Sequence, residues 1–292
     1  MTTSAAATTT TSVRRSTRLR NGLRPMPVRY RAMETVSVER DDAGVVTVTF
    51  DRPTRKNAIN GVMWRELAEV FDEIALDRTA RVVVLTGAGD AFCSGADLGE
   101  AGADNLSVAN GVALMRRTSR VALRLHDLPQ ATIAMVNGVA VGYGANLALG
   151  CDLVVAAERA RFSQIFLQRG LAIDGGGSWL LPRLIGLHKA KELAFFADII
   201  SAAEAAEVGI VNRVVPDDEL AATVADLAAR LAAQPPLQLS MVKRQLNNAF
   251  SMTMAEALEA EAVTQAAMFV SRDANEAMRA FIEKRAPRFT GE

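Results

Sequence analysis

The chain has 292 residues, of which 50% are hydrophobic, 23% charged and only 5% aromatic. That balance closes a sizeable core of small aliphatic side chains and excludes a disordered body. Formal net charge is zero, yet residues 1–33 hold seven arginines and no acid, leaving 26 basic against 33 acidic residues beyond them. A mildly acidic body carries no electrostatic footprint for nucleic acid.

The arginine-rich segment is also rich in Ser, Thr and Ala and has no apolar h-region, so residues 1–33 read as a disordered tail and not as a secretory signal. Met33 opens "METVSVERDDAGVVTVTF", a sensible domain beginning and an alternative native start. "VVTVTF" (45–50) is β-branched and alternates apolar with polar residues, as a strand does. "DRPTRKNAIN" follows as a loop, with Asn60 placed to cap a helix whose apolar positions 63, 67, 70, 71 and 74 have helical spacing. "RVVVLTG" (81–87) is a buried strand, and "GDAFCSGADLGEAGADN" a Gly/Ala/Asp loop. A helix over 108–127 stops before Pro129. "ATIAMVNG" (131–138) is a strand, "GYGANLALGCD" starts a short helix, and "LVVAAE" (153–158) and "ARFSQ" (160–164) are strands. Crossovers of helical length make the strands parallel or nearly so, and the recurring strand–strand–helix cadence suggests successive turns of a spiral. Residues 34–216 form this core. From 217 onward the chain is helical, over 217–233, 237–249, 253–271 and 273–284. No apolar run reaches the ~18 residues of a membrane span.

Several chemistries lack their residues. Cys93 and Cys151 make no disulfide framework, so a reduced, cytoplasmic setting is expected. His126 and His188 are scattered, no zinc-ligand spacing exists, and Ser178 lacks the G-x-S-x-G frame. The glycines at 138, 142 and 144 precede a helix N-terminus, where unpaired N–H groups suit developing negative charge. Leu147 stands where a dinucleotide fingerprint needs its third glycine, and no G-K-[ST] follows any glycine loop.

Together, "FCSGADL" and "NGVAVGYGANLALGCDLVVA" some 40 residues downstream resemble the enoyl-CoA hydratase/isomerase (crotonase) superfamily. "DRPTRKNAIN", "RFSQIFLQRGLAIDGGGSWLLPRLIG", "AAEAAEVGIVNRVVP" and "FIEKRAPRF" add to the resemblance in the expected order, over roughly 34–290. The resemblance implies an α/β fold with a crotonase-like ββα spiral core, a helical C-terminal trimerisation region, and a homotrimer or hexamer. The substrate would be an acyl-coenzyme A thioester, with coenzyme A entering as part of it, no separate cofactor and no metal. Two backbone N–H groups, matching Ala96 and Tyr143, would hold an enolate-like anion. The Tyr143 side chain, where well-known hydratases have glycine, would narrow the pocket and offer a hydroxyl contact. Arg55, Lys56, Ala96, Asp97 and Leu98 match the coenzyme A loops, and Lys284 matches a C-terminal cation that reaches a coenzyme A phosphate, often from the adjacent subunit. The alternative for each cation is a solvated surface charge.

The resemblance also marks a departure. Hydratases of this family activate water with two glutamates, and the matching positions here are Asn146 and Phe166, which leave a drier substrate pocket. Asp174 in "IDGGG" matches an acid used by isomerase-type members. The expectation is one carboxylate that shuttles a proton and shifts a double bond, with Ile173, Phe166 and Trp179 raising its pKa. Asp174 could instead cap the helix that begins near Gly176. Two other functions stay open: an enoyl-CoA hydratase of fatty-acid oxidation using groups such as Asp174 or Glu100, and a non-catalytic coenzyme A thioester binder.

Overall fold

The computed structural model describes residues 30–99 and 107–292. Most of the arginine-rich segment, and the end of the Gly/Ala/Asp loop with Glu100, lie outside these described residues.

Strand β1 (Val36–Arg40) turns at Gly44 into β2 (Val45–Phe50), its antiparallel partner, with Val36 opposite Phe50. A 3-10 turn (Pro53–Arg55) leads to helix α1 (Gly61–Leu76). The Asn60 side chain caps α1 by accepting from Met63 N–H at 3.0 Å, and all five of the spaced apolar residues are buried. The spiral then repeats. β3 (Val82–Gly87) and β4 (Ala91–Cys93) are followed by α2 (Val108–His126); β5 (Ala131–Val136) and β6 (Val139–Val141) by α3 (Tyr143–Leu149). β7 (Leu153–Ala157) and β8 (Arg161–Ser163) are followed by a 3-10 turn (Ile165–Arg169) and α4 (Gly177–Phe196), which breaks at Gly186. β9 (Ile200–Ser201), α5 (Ala202–Glu207) and β10 (Arg213–Val215) complete it.

Each turn gives one strand to each of two sheets. The described residues make a six-stranded sheet in the order β1-β2-β3-β5-β7-β10 and a four-stranded sheet in the order β4-β6-β8-β9. Pairing is parallel except for β1 with β2 and β8 with β9, which are antiparallel. The expected Gly/Ala/Asp loop therefore contains a strand, β4, and the second glycine stretch contains another, β6. Both are three residues long, too short for periodicity to show in the sequence.

The large sheet is covered on both faces, which is why β3 is buried at every position. One face meets Met63, Leu67, Phe71, Val121, Leu125 and Leu147 from α1, α2 and α3. The other meets α6 (Leu220–Ala232) through Leu220, Val224 and Leu227. The remaining helices, α7 (Pro236–Asn248), α8 (Met254–Phe269) and α9 (Arg272–Glu283), extend from the spiral. Lys243 ties α7 back to it, with its ammonium 2.8 Å from Asp152 and 3.1 Å from the Gln130 carbonyl. No helix among the described residues is long and apolar enough to cross a membrane.

Candidate active site

Three loops at the ends of short strands meet. The backbone of 56–59 zips onto 94–97: Ser94 N–H donates to Lys56 C=O (3.0 Å), Ile59 N–H to Gly95 C=O (2.8 Å) and Asp97 N–H to Ile59 C=O (3.0 Å). This one-residue parallel bridge joins Ile59 to Ala96. Because bridge geometry uses the groups of Gly95 and Asp97, the Ala96 N–H faces away from Ile59. Gly95 lies against the second glycine loop. A Cβ there would stand 2.9 Å from Val141 C=O and 3.5 Å from Tyr143 N, on a backbone with φ +93°. Tyr143 is the first residue of α3, so its N–H has no partner within the helix. The fold therefore brings together the two expected N–H donors, from segments 47 residues apart. Phe166 walls the same place: it is buried, and its ring would be 3.8 Å from a Cβ at Gly142.

Asp174 follows the 3-10 turn and precedes α4. It is half-buried; its Oδ1 is buried without a hydrogen-bond partner among the described residues. Burial alone pushes its pKa up to about 6. The capping alternative fails: Gly176 is the N-cap of α4, and no side chain bonds that helix end. Asp174 meets α4 only through its main chain, accepting from Gly177 N–H at 3.0 Å.

Other expected residues sit differently from their sequence reading. The Tyr143 ring does not narrow a ligand pocket. It is 2% exposed, stands edge-on to Trp64 at 4.5 Å, and its hydroxyl donates to the Thr118 carbonyl at 2.8 Å. Asn146 is fully buried, and both amide atoms bond protein: Nδ2 donates to Asp174 C=O at 2.7 Å, and Oδ1 accepts from Gln164 Nε2 at 2.9 Å. Its place is behind the loop, not against a ligand. The Asp97 carboxylate faces Arg52, 2.9 Å from Nη1, and so pins the 93–98 loop. Leu98 is exposed. Arg55 and Lys56 are exposed beside Ser94. Trp179 is stacked under Arg183, whose guanidinium lies 4.0 Å from the ring centroid, with His126 edge-on at 5.3 Å. Lys284 closes α9 in the C-terminal block, exposed and in the left-handed region.

Asn57 was not anticipated. It is fully buried with φ +56°, accepts from Arg52 N–H at 2.9 Å, and donates to the Ala88 and Ala91 carbonyls at 2.9 and 2.8 Å. It fastens the 52–57 loop to the start of β4; an asparagine in a turn-rich loop was its only signal. Cys93 is fully buried, out of reach of a ligand, and burial pushes its pKa up to about 12, away from the thiolate a nucleophile needs.

A two-sheet spiral that sets the Gly95–Ala96 loop against the N-terminus of α3, with one half-buried carboxyl beside it, is the architecture of an acyl-CoA-processing enzyme family. The chain belongs to the enoyl-CoA hydratase/isomerase family, whose model matches residues 40–292. It is 41% identical to 1,2-epoxyphenylacetyl-CoA isomerase of Escherichia coli (strain K12) over 252 residues, 86% of this chain and 96% of that one. It is 36% identical to short-chain-enoyl-CoA hydratase of Clostridium acetobutylicum over 242 residues, 82% of this chain and 92% of that one. The crystal structure of enoyl-CoA hydratase from Bacillus anthracis superposes with a TM-score of 0.85 at 32% identity, covering 89% of this chain and all of that one.

Proposed function

We propose that the protein is an enoyl-CoA isomerase in which Asp174 is the single proton carrier. The observation that carries this reading is the desolvated, unpaired Asp174 carboxyl, at a site where Asn146 and Phe166 supply no second acid. Asp174 takes a proton from the carbon next to the thioester carbonyl. The C–H electron pair moves into the thioester, and its oxygen accepts from the N–H groups of Ala96 and Tyr143. The proton then returns from Asp174 to the far end of the dienolate, so a 3-enoyl thioester becomes a 2-enoyl thioester. Each such N–H donor stabilises the transition state by about 3 kcal/mol. Phe166 excludes water, which keeps the proton on Asp174 between the two transfers.

Coenzyme A, as part of the substrate, would lie along the loop of Ala96, Asp97 and Leu98, with its phosphates on Arg55 and Lys56. Lys284 would reach it from a neighbouring copy in a trimer or hexamer built on the C-terminal helices. The relation to a 1,2-epoxyphenylacetyl-CoA isomerase supports a substrate with a cyclic acyl group.

The test is solvent-deuterium exchange into 3-enoyl-CoA. Asp174→Asn should slow exchange by about 10²–10⁴-fold, the usual worth of a general base. Exchange at the wild-type rate would refute the shuttle. Ultraviolet loss of a conjugated 2-enoyl thioester without exchange would assign hydration instead.

A further inference from the structure

We infer that Tyr143 and Asn146 are positioning residues: one helical turn apart on α3, they form a seat that fixes Asp174 to the helix whose first N–H holds the thioester oxygen. The inference rests on the proton-shuttle reading and assigns the glutamate-matched position a new task.

The glycines that follow Asp174 show the seat. A Cβ on Gly177 would lie 2.5 Å from Asn146 Nδ2 and 2.8 Å from its Cγ. The φ of Gly177 lies outside the left-handed region, so close approach alone requires glycine there. A Cβ on Gly175 would lie 3.0 and 3.1 Å from Tyr143 Cδ2 and Cε2, and 3.2 Å from Asn146 Cβ. Residues three apart share one helix face, so both contacts fall on a single ridge of α3. The seat is itself immobilised. The Tyr143 hydroxyl is bonded to α2 through Thr118, its ring abuts Trp64 of α1, and the Asn146 carbonyl oxygen is held by Gln164.

The point of attachment matters chemically. Hydrogen bonds to a carboxylate favour its charged form and weaken it as a base. Here Oδ1 makes none, and the loop is gripped at the main chain of Asp174 itself, by Asn146 Nδ2 on the Asp174 C=O at 2.7 Å. The acid is placed without being neutralised. Asparagine suits the task because it donates at every pH; a glutamate there would turn an acceptor toward an acceptor. Its neutrality also leaves Asp174 as the one carboxyl group at the seat.

The test uses the full chain and reads exchange, substrate affinity and melting temperature together. Asn146→Asp keeps the shape but replaces the donor with an acceptor. It should lower kcat for deuterium exchange by about 10²-fold, the scale of an ångström-sized misplacement, leave KM nearly unchanged, and move the acidic limb of the pH profile upward. Asn146→Leu should lower kcat similarly, but should slow exchange no further when Asp174→Asn is already present, while lowering the melting temperature equally in both backgrounds. Should Asn146→Leu fail to fold, Asn146→Asp carries the test. If the Asn146 and Asp174 losses multiply, or if both single Asn146 variants keep wild-type kcat, the seat is wrong and the shuttle stands. If Asp174→Asn alone exchanges at the wild-type rate, the shuttle falls first and the seat with it.

Discussion

Asp174 is a half-buried acid whose Oδ1 lacks a hydrogen bond, and pH should act on it twice. In the proposed role of base it works only when ionised, so kcat for proton exchange should rise through about pH 6 and then level off. Stability moves the other way. Between its ordinary value of 3.8 and about 6, the folded protein keeps a proton that the unfolded chain has lost, so stability falls as pH rises through that window. Asp174→Asn should therefore raise stability at pH 8 by roughly 1 kcal/mol, a figure discounted because the group is partly open to solvent. The gain should vanish below about pH 4. Melting curves at the two pH values check this; an equal gain at both would remove desolvation as the cause. The type of this residue, its glycine context and the missing glutamates were legible in the sequence. Its contacts were not, because the partners of Asp174 and Asp97 come from segments 28 and 45 residues away. Tyr143 likewise read as a pocket residue, since no local pattern shows that its hydroxyl has an acceptor on α2.

Secondary-structure elements were legible in proportion to their length. The caps and apolar spacing placed α1, α2 and the C-terminal helices to within a few residues, because each repeats its pattern over several turns. β4, β6 and β9 had no room to repeat, and the first two carry the Ala96 and Tyr143 loops. At the start of the fold, Glu66 of α1 joins helix to strand. It is buried and accepts from Glu34 N–H at 2.8 Å, Thr35 N–H at 2.9 Å and Thr35 Oγ1 at 2.5 Å. Burial raises its pKa, but these bonds outweigh that and hold it below the usual carboxylate range. The resulting stabilisation is present above that range and lost as acid titrates the folded-state group. Glu66→Ala strands the buried Thr35 donors and should cost about 2–3 kcal/mol, read from urea unfolding. A cost no larger than that of an exposed Glu→Ala would show that solvent replaces the bonds.

The whole molecule ends in helices that do not complete a core of their own. No residue of α7 or α8 is buried, and Phe281 and Ile282 on α9 are 81% and 72% exposed. Apolar surface of this extent marks an interface, and the proposed assembly puts other copies of the chain against it. Phe281→Asp with Ile282→Asp should convert the assembly to monomers in sedimentation velocity and expose Lys284-dependent loss of substrate affinity. An unchanged sedimentation coefficient would place the interface elsewhere. Helical content was clear from the sequence, but what covers these faces was not, since amphipathic spacing is alike for a helix on its own core and one on a neighbour. The six-stranded sheet has a different consequence. From β1 to β10 its spatial order follows the order of synthesis. Each new turn can therefore be laid on the open edge left by the previous one, and no earlier pair has to separate to admit it. A chain leaving the ribosome can fix its architecture winding by winding, so the Ala96 loop, the Tyr143 helix and the Asp174 loop would be installed in that sequence during translation.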